Sequence, residues 1–130
     1  MRKYKIKLEV AEKLLQKLIK DTKSGRLEWE RCEMNTNVEK PAKFAVPLTS
    51  AGQDYCFCAK LNEESTWYFQ HDTGHYYVWM EQGNEIAQFE NELYHYQGIV
   101  NWMVDLDKEI RKGSDFFVKD AIKAYLDEEE

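Results

Sequence analysis

Residues 54–89 read DYCFCAKLNEESTWYFQHDTGHYYVWMEQGNEIAQF, and the spacing within this stretch decides the fold. Tyr55, Phe57, Ala59 and Leu61 alternate with Cys56, Cys58 and Lys60, the period of two expected of a strand with one buried face. An acidic turn at Glu63 and Glu64 follows, then a strand over Trp67–Gln70, a turn at His71-Asp72-Thr73-Gly74, and a strand from His75 to Gln82. Gly83-Asn84 is a two-residue turn, and Glu85–Phe89 is the last strand. The stretch therefore predicts an antiparallel meander. If the four-residue turn pairs Gln70 with His75, then Trp67, Phe69, Tyr76, Val78 and Met80 share a face. The Gly83-Asn84 turn independently adds Ala87 and Phe89 to it, so this face is taken as core.

The opposite face carries Tyr68, Gln70, His75, Tyr77, Trp79, Glu81, Ile86 and Gln88, a mixture of large aromatics and amides. Two readings stay open. Either a second layer covers this side and the rings are core, or Tyr68, Gln70, His75, Tyr77, Trp79 and Gln88 form a binding surface. The first strand's register decides between them. A symmetric turn after Leu61 would put Tyr55, Phe57, Ala59 and Leu61 beside Tyr68, and a one-residue shift would send them to the other side.

On the N-terminal side, Leu8, Ala11, Leu15, Leu18 and Thr22 fall at helical spacing, widened by Val10, Leu14 and Ile19. This predicts a helix over Leu8–Lys23, with Lys20 and Lys23 at its C-terminus and Gly25 just beyond. The alternation of Tyr4, Ile6, Leu8 and Val10 would also fit a short leading strand, but the helix is preferred. Arg26–Glu33 reads as a strand with Leu27 and Trp29 on one face. Residues 34–53, with Pro41, Pro47 and Gly52, are a long loop with a short strand at Phe44–Leu48.

On the C-terminal side, Leu93, Tyr96, Val100, Met103, Asp107 and Ile110 trace a stripe on a helix from Glu90 to Lys112, ended by Gly113. Ile99 and Leu106 extend the stripe, and His95 and Trp102 flank it. A strip this wide predicts a contact through His95, Ile99, Trp102 and Leu106, either with a partner or in a two-fold homodimer, the competing arrangement being intramolecular, with the 34–53 loop or the third helix laid over Trp102. A third helix, Phe116–Leu126, capped by Ser114 or Asp115, turns Phe117, Val118, Ala121, Ile122 and Tyr125 inward. Residues 127–130 form an acidic tail. The expected fold is a single α+β domain over residues 1–130, an antiparallel meander of four to five strands packed with one N-terminal and two C-terminal helices.

With 130 residues, 43% of them hydrophobic, the chain can bury a core without metals or disulfides. Its longest apolar run, Tyr76–Met80, is far short of the ~20 residues that span a bilayer, and no signal peptide is seen. Together with three cysteines, an odd number and a poor disulfide framework, this predicts a cytoplasmic protein with reduced thiols. Net charge is −6 and strongly polarised: residues 1–26 hold nine Lys/Arg against three Asp/Glu, a net +6. Residues 44–107 hold ten acids and a single base, Lys60. Such a body repels phosphate backbones and attracts basic surfaces, so direct nucleic-acid binding is not expected.

Candidate chemistry is sparse. His71, Asp72 and His75 around the hairpin turn, joined by His95, are weak candidates for a metal, yet turn formation explains Asp72-Thr73-Gly74 equally. A thiol nucleophile would come from Cys32, Cys56 or Cys58, but the acidic surroundings disfavour thiolates and small apolar packing accounts for them. The scattered carboxylates single out no glycosidase or two-metal pair, and no phosphate-cradling or hydrolase motif is present. No catalytic residue, metal or cofactor is assigned.

Eight Tyr, four Trp and six Phe are instead a rich supply for binding. The chain resembles, in size and charge, small acidic single-domain proteins of phages and mobile elements that occupy a nucleic-acid site on a host protein. Leu14-Leu15, Leu18-Ile19 and Thr22–Trp29 are similar to the start of small bacterial and phage proteins, a likeness that implies no activity. The resulting expectation is a non-catalytic inhibitor, adaptor or regulatory subunit engaging a protein with a basic surface, without a membrane. The alternative is a small-ligand or nucleotide binder in which Tyr68, Tyr77 and Trp79 stack on a base and Gln70, His75 and Gln88 read its edge.

Overall fold

The computed structural model describes residues 2–33, 54–72, 75–114, 122 and 125–128. Their elements are β1 (Arg2–Ile6), α1 (Leu8–Lys23), β2 (Glu30–Cys32), β3 (Tyr55–Lys60), β4 (Ser65–Asp72), β5 (His75–Gln82), β6 (Glu85–Phe89), a 3₁₀ turn (Asn91–His95) and α2 (Gln97–Ser114). The strands form one sheet in the order β1-β6-β5-β4-β3-β2, giving an α+β fold. The long loop 34–53 with its strand at Phe44–Leu48 and most of the third helix, 116–126, lie outside the described residues. Of that helix, Ile122, Tyr125 and Leu126 are described, and all three are exposed, Ile122 and Tyr125 contrary to the inward placement expected.

The meander expected from residues 54–89 is present, but the sheet is mixed and has six strands among the described residues. Tyr4 and Ile6 do not continue the alternation into Leu8 and Val10. Residues up to Ile6 run parallel to β6, Tyr4 beside Ala87 and Ile6 beside Phe89, and the helix begins at Leu8. The free edge of β6 would otherwise expose unpaired backbone groups, and the short N-terminal strand supplies partners. Lys3 and Lys5 then face water on the sheet's outer edge.

Helix α1 begins without a side-chain cap, the Lys7 carbonyl accepting from the amides of Val10 and Ala11. It ends where Gly25 takes φ +82°, a left-handed conformation that favours glycine. Thr22 Oγ1 donates to the Leu18 carbonyl at 2.7 Å and accepts the Trp29 indole N–H at 2.9 Å. The chain leaving the helix is thereby pinned to its last turn. Leu27 and Trp29 are buried here, and only Glu30–Cys32 pair as a strand.

The β4–β5 hairpin is longer than the four-residue turn implies, pairing Asp72 with His75 and Gln70 with Tyr77. That is a shift of two residues, so every side chain keeps its predicted face. Trp67, Phe69, Tyr76, Val78, Met80, Ala87 and Phe89 share the inner face. Between β3 and β4 the one-residue shift is realised, with Cys56 opposite Gln70 and Phe57 opposite Phe69. Asn62 sets it: its side-chain oxygen accepts the amides of Glu64 and Ser65, each at 2.9 Å, making the turn asymmetric. Tyr55, Phe57 and Ala59 join the inner face, and Cys56 and Cys58 join Tyr68 on the outer one.

The predicted helix 90–112 is two elements, because the 3₁₀ turn ends at His95 and Tyr96 is extended and exposed. Helix α2 lies over the inner face, where buried Asp107 accepts the Tyr55 hydroxyl at 2.7 Å and the Tyr76 hydroxyl at 3.3 Å. Helix α1 packs along α2, and Ala11, Leu15, Leu18, Ile99, Met103, Leu106 and Ile110 join the sheet residues in one core.

Candidate functional site

The outer face is built by alternate residues of β3, β4, β5 and β6. Register places Tyr68 beside Trp79, Gln70 beside Tyr77, and Trp79 beside Gln88, so five of the six predicted binding residues adjoin, with His75 at the hairpin end. They are not an open surface. Tyr77 and Trp79 are 0% exposed, Gln70 and Gln88 1% and His75 6%, leaving Tyr68 alone half-buried. This side is buried even though the register found is the one-residue shift rather than the symmetric turn that the sequence reading tied to a covered layer, so the β3 register does not decide exposure here.

The rings are used on one another. Tyr68 stacks on Trp79 with centroids 5.0 Å apart and planes 5° from parallel, and the Trp79 indole N–H donates to Glu81 at 2.9 Å. Tyr77 meets Tyr94 of the 3₁₀ turn at 4.9 Å, and His75 meets exposed His95 edge-on at 5.8 Å. Burial pushes the Tyr68, Tyr77 and Tyr94 hydroxyls above their ordinary pKa, with Glu81, Asp72 and Tyr77 respectively adding to it. All three stay neutral near pH 7. The Tyr77 hydroxyl is buried with no hydrogen-bond partner among the described residues.

The weak metal candidates do not converge. Asp72 and His75 are paired on the outer face, while His71 points to the inner one, stacked 5.2 Å from Tyr55 and tilted against Tyr76 at 4.9 Å. Among the described residues no three His, Cys, Asp or Glu are placed to hold a metal ion together. The predicted contact strip on α2 is also divided. Ile99 and Leu106 are core residues and His95 belongs to the 3₁₀ turn. Trp102 is half-buried in the groove between α1 and α2, beside Ile19 and Lys23. The strip looked too wide because α1 covers a flank that a single packing partner would leave open.

Two features were missed. The first is the role of Asp107, read only as a stripe position. Its carboxylate joins β3, β5 and α2 and pairs with Arg111 at 3.2 Å. A carboxylate on an apolar stripe was the available signal, since burial there requires partners. The second is the meeting of all three cysteines on the outer face. Cys32 Sγ lies 3.1 Å from Cys56 Sγ, and Cys58 is two residues along the same strand. Burial raises Cys56 to about 11, and burial with the neighbouring sulfurs raises Cys32 and Cys58 to about 12. These are protonated thiols, unlike an activated nucleophile.

Beside them a cleft of about 820 Å³ opens at the β2 edge, lined among others by Arg26, Trp29, Cys58, Lys60, Thr66 and Tyr68. It combines two aromatic rings with two cations, the carboxylates of Glu28 and Glu30, and hydroxyls. At the same end of the sheet stand Glu28, Glu30, Glu63 and Glu64, all exposed, and half-buried Glu81 and Glu85. Arg2 is near Glu85, at 3.8 Å. Among the described residues no helix is long and apolar enough to cross a membrane. No family model, no curated protein and no solved structure matches this chain.

Proposed function

We propose that the protein is a non-catalytic binding domain that recruits a partner protein with a basic surface through the acidic end of its sheet. The observation carrying this reading is the gathering of Glu28, Glu30, Glu63, Glu64, Glu81 and Glu85 at one end of the sheet, where they outnumber the bases Arg2, Arg26 and Lys60. An acidic patch of this kind attracts a basic partner during encounter. The aromatics are the rigid support rather than the contact, because the outer face is buried. Inhibitor, adaptor and regulatory subunit are all forms such a domain takes.

The test uses tagged wild type and a Glu28→Lys/Glu63→Lys/Glu64→Lys variant to capture proteins from the native host. A partner held by wild type, lost by a variant with an unchanged melt, and associating more slowly as salt rises through ~0.1 M supports the reading. A partner captured equally by both, at a salt-independent rate, overturns it.

The cleft favours a second reading, binding of a small anionic aromatic ligand. Here half-buried Tyr68 would supply the stacking face, backed by the edge of buried Trp29, and Arg26 and Lys60 the countercharge beside Glu28 and Glu30, in place of the buried Tyr77 and Trp79. A thermal-shift screen of mononucleotides distinguishes it: stabilisation abolished by Lys60→Ala favours the ligand over the protein partner.

A further inference from the structure

The three cysteines are not equivalent, and the β-ladder separates them. Cys32 and Cys56 are directly opposed in the antiparallel pair β2–β3, with sulfurs 3.1 Å apart. Opposed residues in such a pair have Cα atoms ~4.5–5.5 Å apart, inside the ~4.4–6.8 Å span that a disulfide bridges. Cys58 stands diagonally from Cys32, with Cα atoms typically ~7–8 Å apart, so that although its thiol lies within hydrogen-bonding reach of Cys32 it is the less well placed of the two for a disulfide. Along β3, Cys56 and Cys58 are separated by two residues of extended chain, ~6.6–6.8 Å, with side chains side by side instead of facing. Cys56 is buried, Cys32 and Cys58 are half-exposed, and Cys58 lines the cleft.

We propose that Cys32 and Cys56 are a redox pair, closed to a cross-strand disulfide by a low-molecular-weight disulfide, with Cys58 left as a free thiol at the cleft. Half-exposed Cys32 loses its proton and its thiolate attacks one sulfur of the small disulfide. That S–S bond breaks, and the first small thiol leaves as thiolate and takes up a proton. Cys56 then loses its proton and attacks the Cys32 sulfur of the mixed disulfide, releasing the second small thiol. Two protein thiols are oxidised by two electrons and one small disulfide is reduced to two thiols.

The environment sets the rate. Burial holds Cys32 near 12 and Cys56 near 11, so thiolate is scarce at neutral pH and closure is slow, quickening about tenfold per pH unit. Its structural effect is to tie the three-residue edge strand β2 to β3 and to close the chain between residues 32 and 56, raising Tm by about 10 °C.

The experiment incubates the reduced wild-type protein with oxidised glutathione at pH 7 and pH 8, blocks free thiols with N-ethylmaleimide and maps peptides by non-reducing mass spectrometry. The expected result is a Cys32–Cys56 link with N-ethylmaleimide on Cys58, forming about tenfold faster at the higher pH and retained in Cys58→Ser. A dominant link through Cys58, glutathione adducts that never close, or a link that forms only in urea would each overturn the proposal. Because the wild-type map decides the matter alone, a Cys32→Ser or Cys56→Ser protein that fails to fold does not blunt the test.

Discussion

The Tyr55 hydroxyl donates a 2.7 Å hydrogen bond to Asp107, tying β3 to α2 across the inner face. The Tyr76 hydroxyl reaches the other carboxylate oxygen and Arg111 closes the charge, so a buried anion is held by two strands and its own helix. Asp107→Ala strands both hydroxyls and is expected to cost about 3–5 kcal/mol, against about 1–2 for Tyr55→Phe, in urea melts. Equal costs would show that the carboxylate is not the organising group.

The same contact predicts an alkaline limit. Burial first, then Asp107, raises the pKa of Tyr55 and Tyr76 above their ordinary value of 10. The folded state keeps protons that the unfolded chain releases above pH ~10, so their stabilisation is complete below that pH and is lost as pH rises further. Stability measured from pH 9 to 11 should fall, and Tyr55→Phe should make the fall shallower. An unchanged slope in Tyr55→Phe would remove Tyr55 from the cause.

Trp79 and Trp67 lie on opposite faces of the sheet, yet both are buried. Trp79→Ala should therefore destabilise as severely as Trp67→Ala, by about 3–5 kcal/mol. Tyr77→Phe, which deletes a buried hydroxyl with no partner among the described residues, should fall within about 0.5 kcal/mol of wild type or above it. A large loss in Tyr77→Phe would reveal a partner for that hydroxyl.

Thr22→Val keeps the volume but removes the acceptor for the Trp29 indole. The expected loss is about 1–2 kcal/mol, accompanied by a changed Trp fluorescence spectrum as the ring loses its anchor. Thermal melts and emission scans check both. A normal melt would make the bond incidental.

On α2, Ile99→Glu and Leu106→Glu should unfold the protein, because both sites are in the core, whereas Trp102→Glu at the α1–α2 groove should leave a folded chain. Circular dichroism separates them, and light scattering of folded Trp102→Glu beside wild type reads any self-association through the groove. Folded Ile99→Glu would show that the helix presents that side to water.

Local patterning alone places α1 at Leu8–Lys23, the strands His75–Gln82 and Glu85–Phe89, and the division of their residues between two faces. Period and turn chemistry are local, and a slip of two residues in the β4–β5 hairpin leaves every face unchanged. Tertiary structure alone decided the parallel pairing of Tyr4 with Ala87, because no local pattern announces a partner so far along the chain. It also decided the β3 register, through the two hydrogen bonds of Asn62, and the break at Tyr96. The candidate site divides the same way. That Gln70, Tyr77, Trp79 and Gln88 share a face was legible from alternation, but their burial depends on what packs above them, which alternation does not encode. Cys32 met Cys56 only because β2 and β3 pair across the intervening chain, and a contact made by chain closure leaves no periodic trace in either segment.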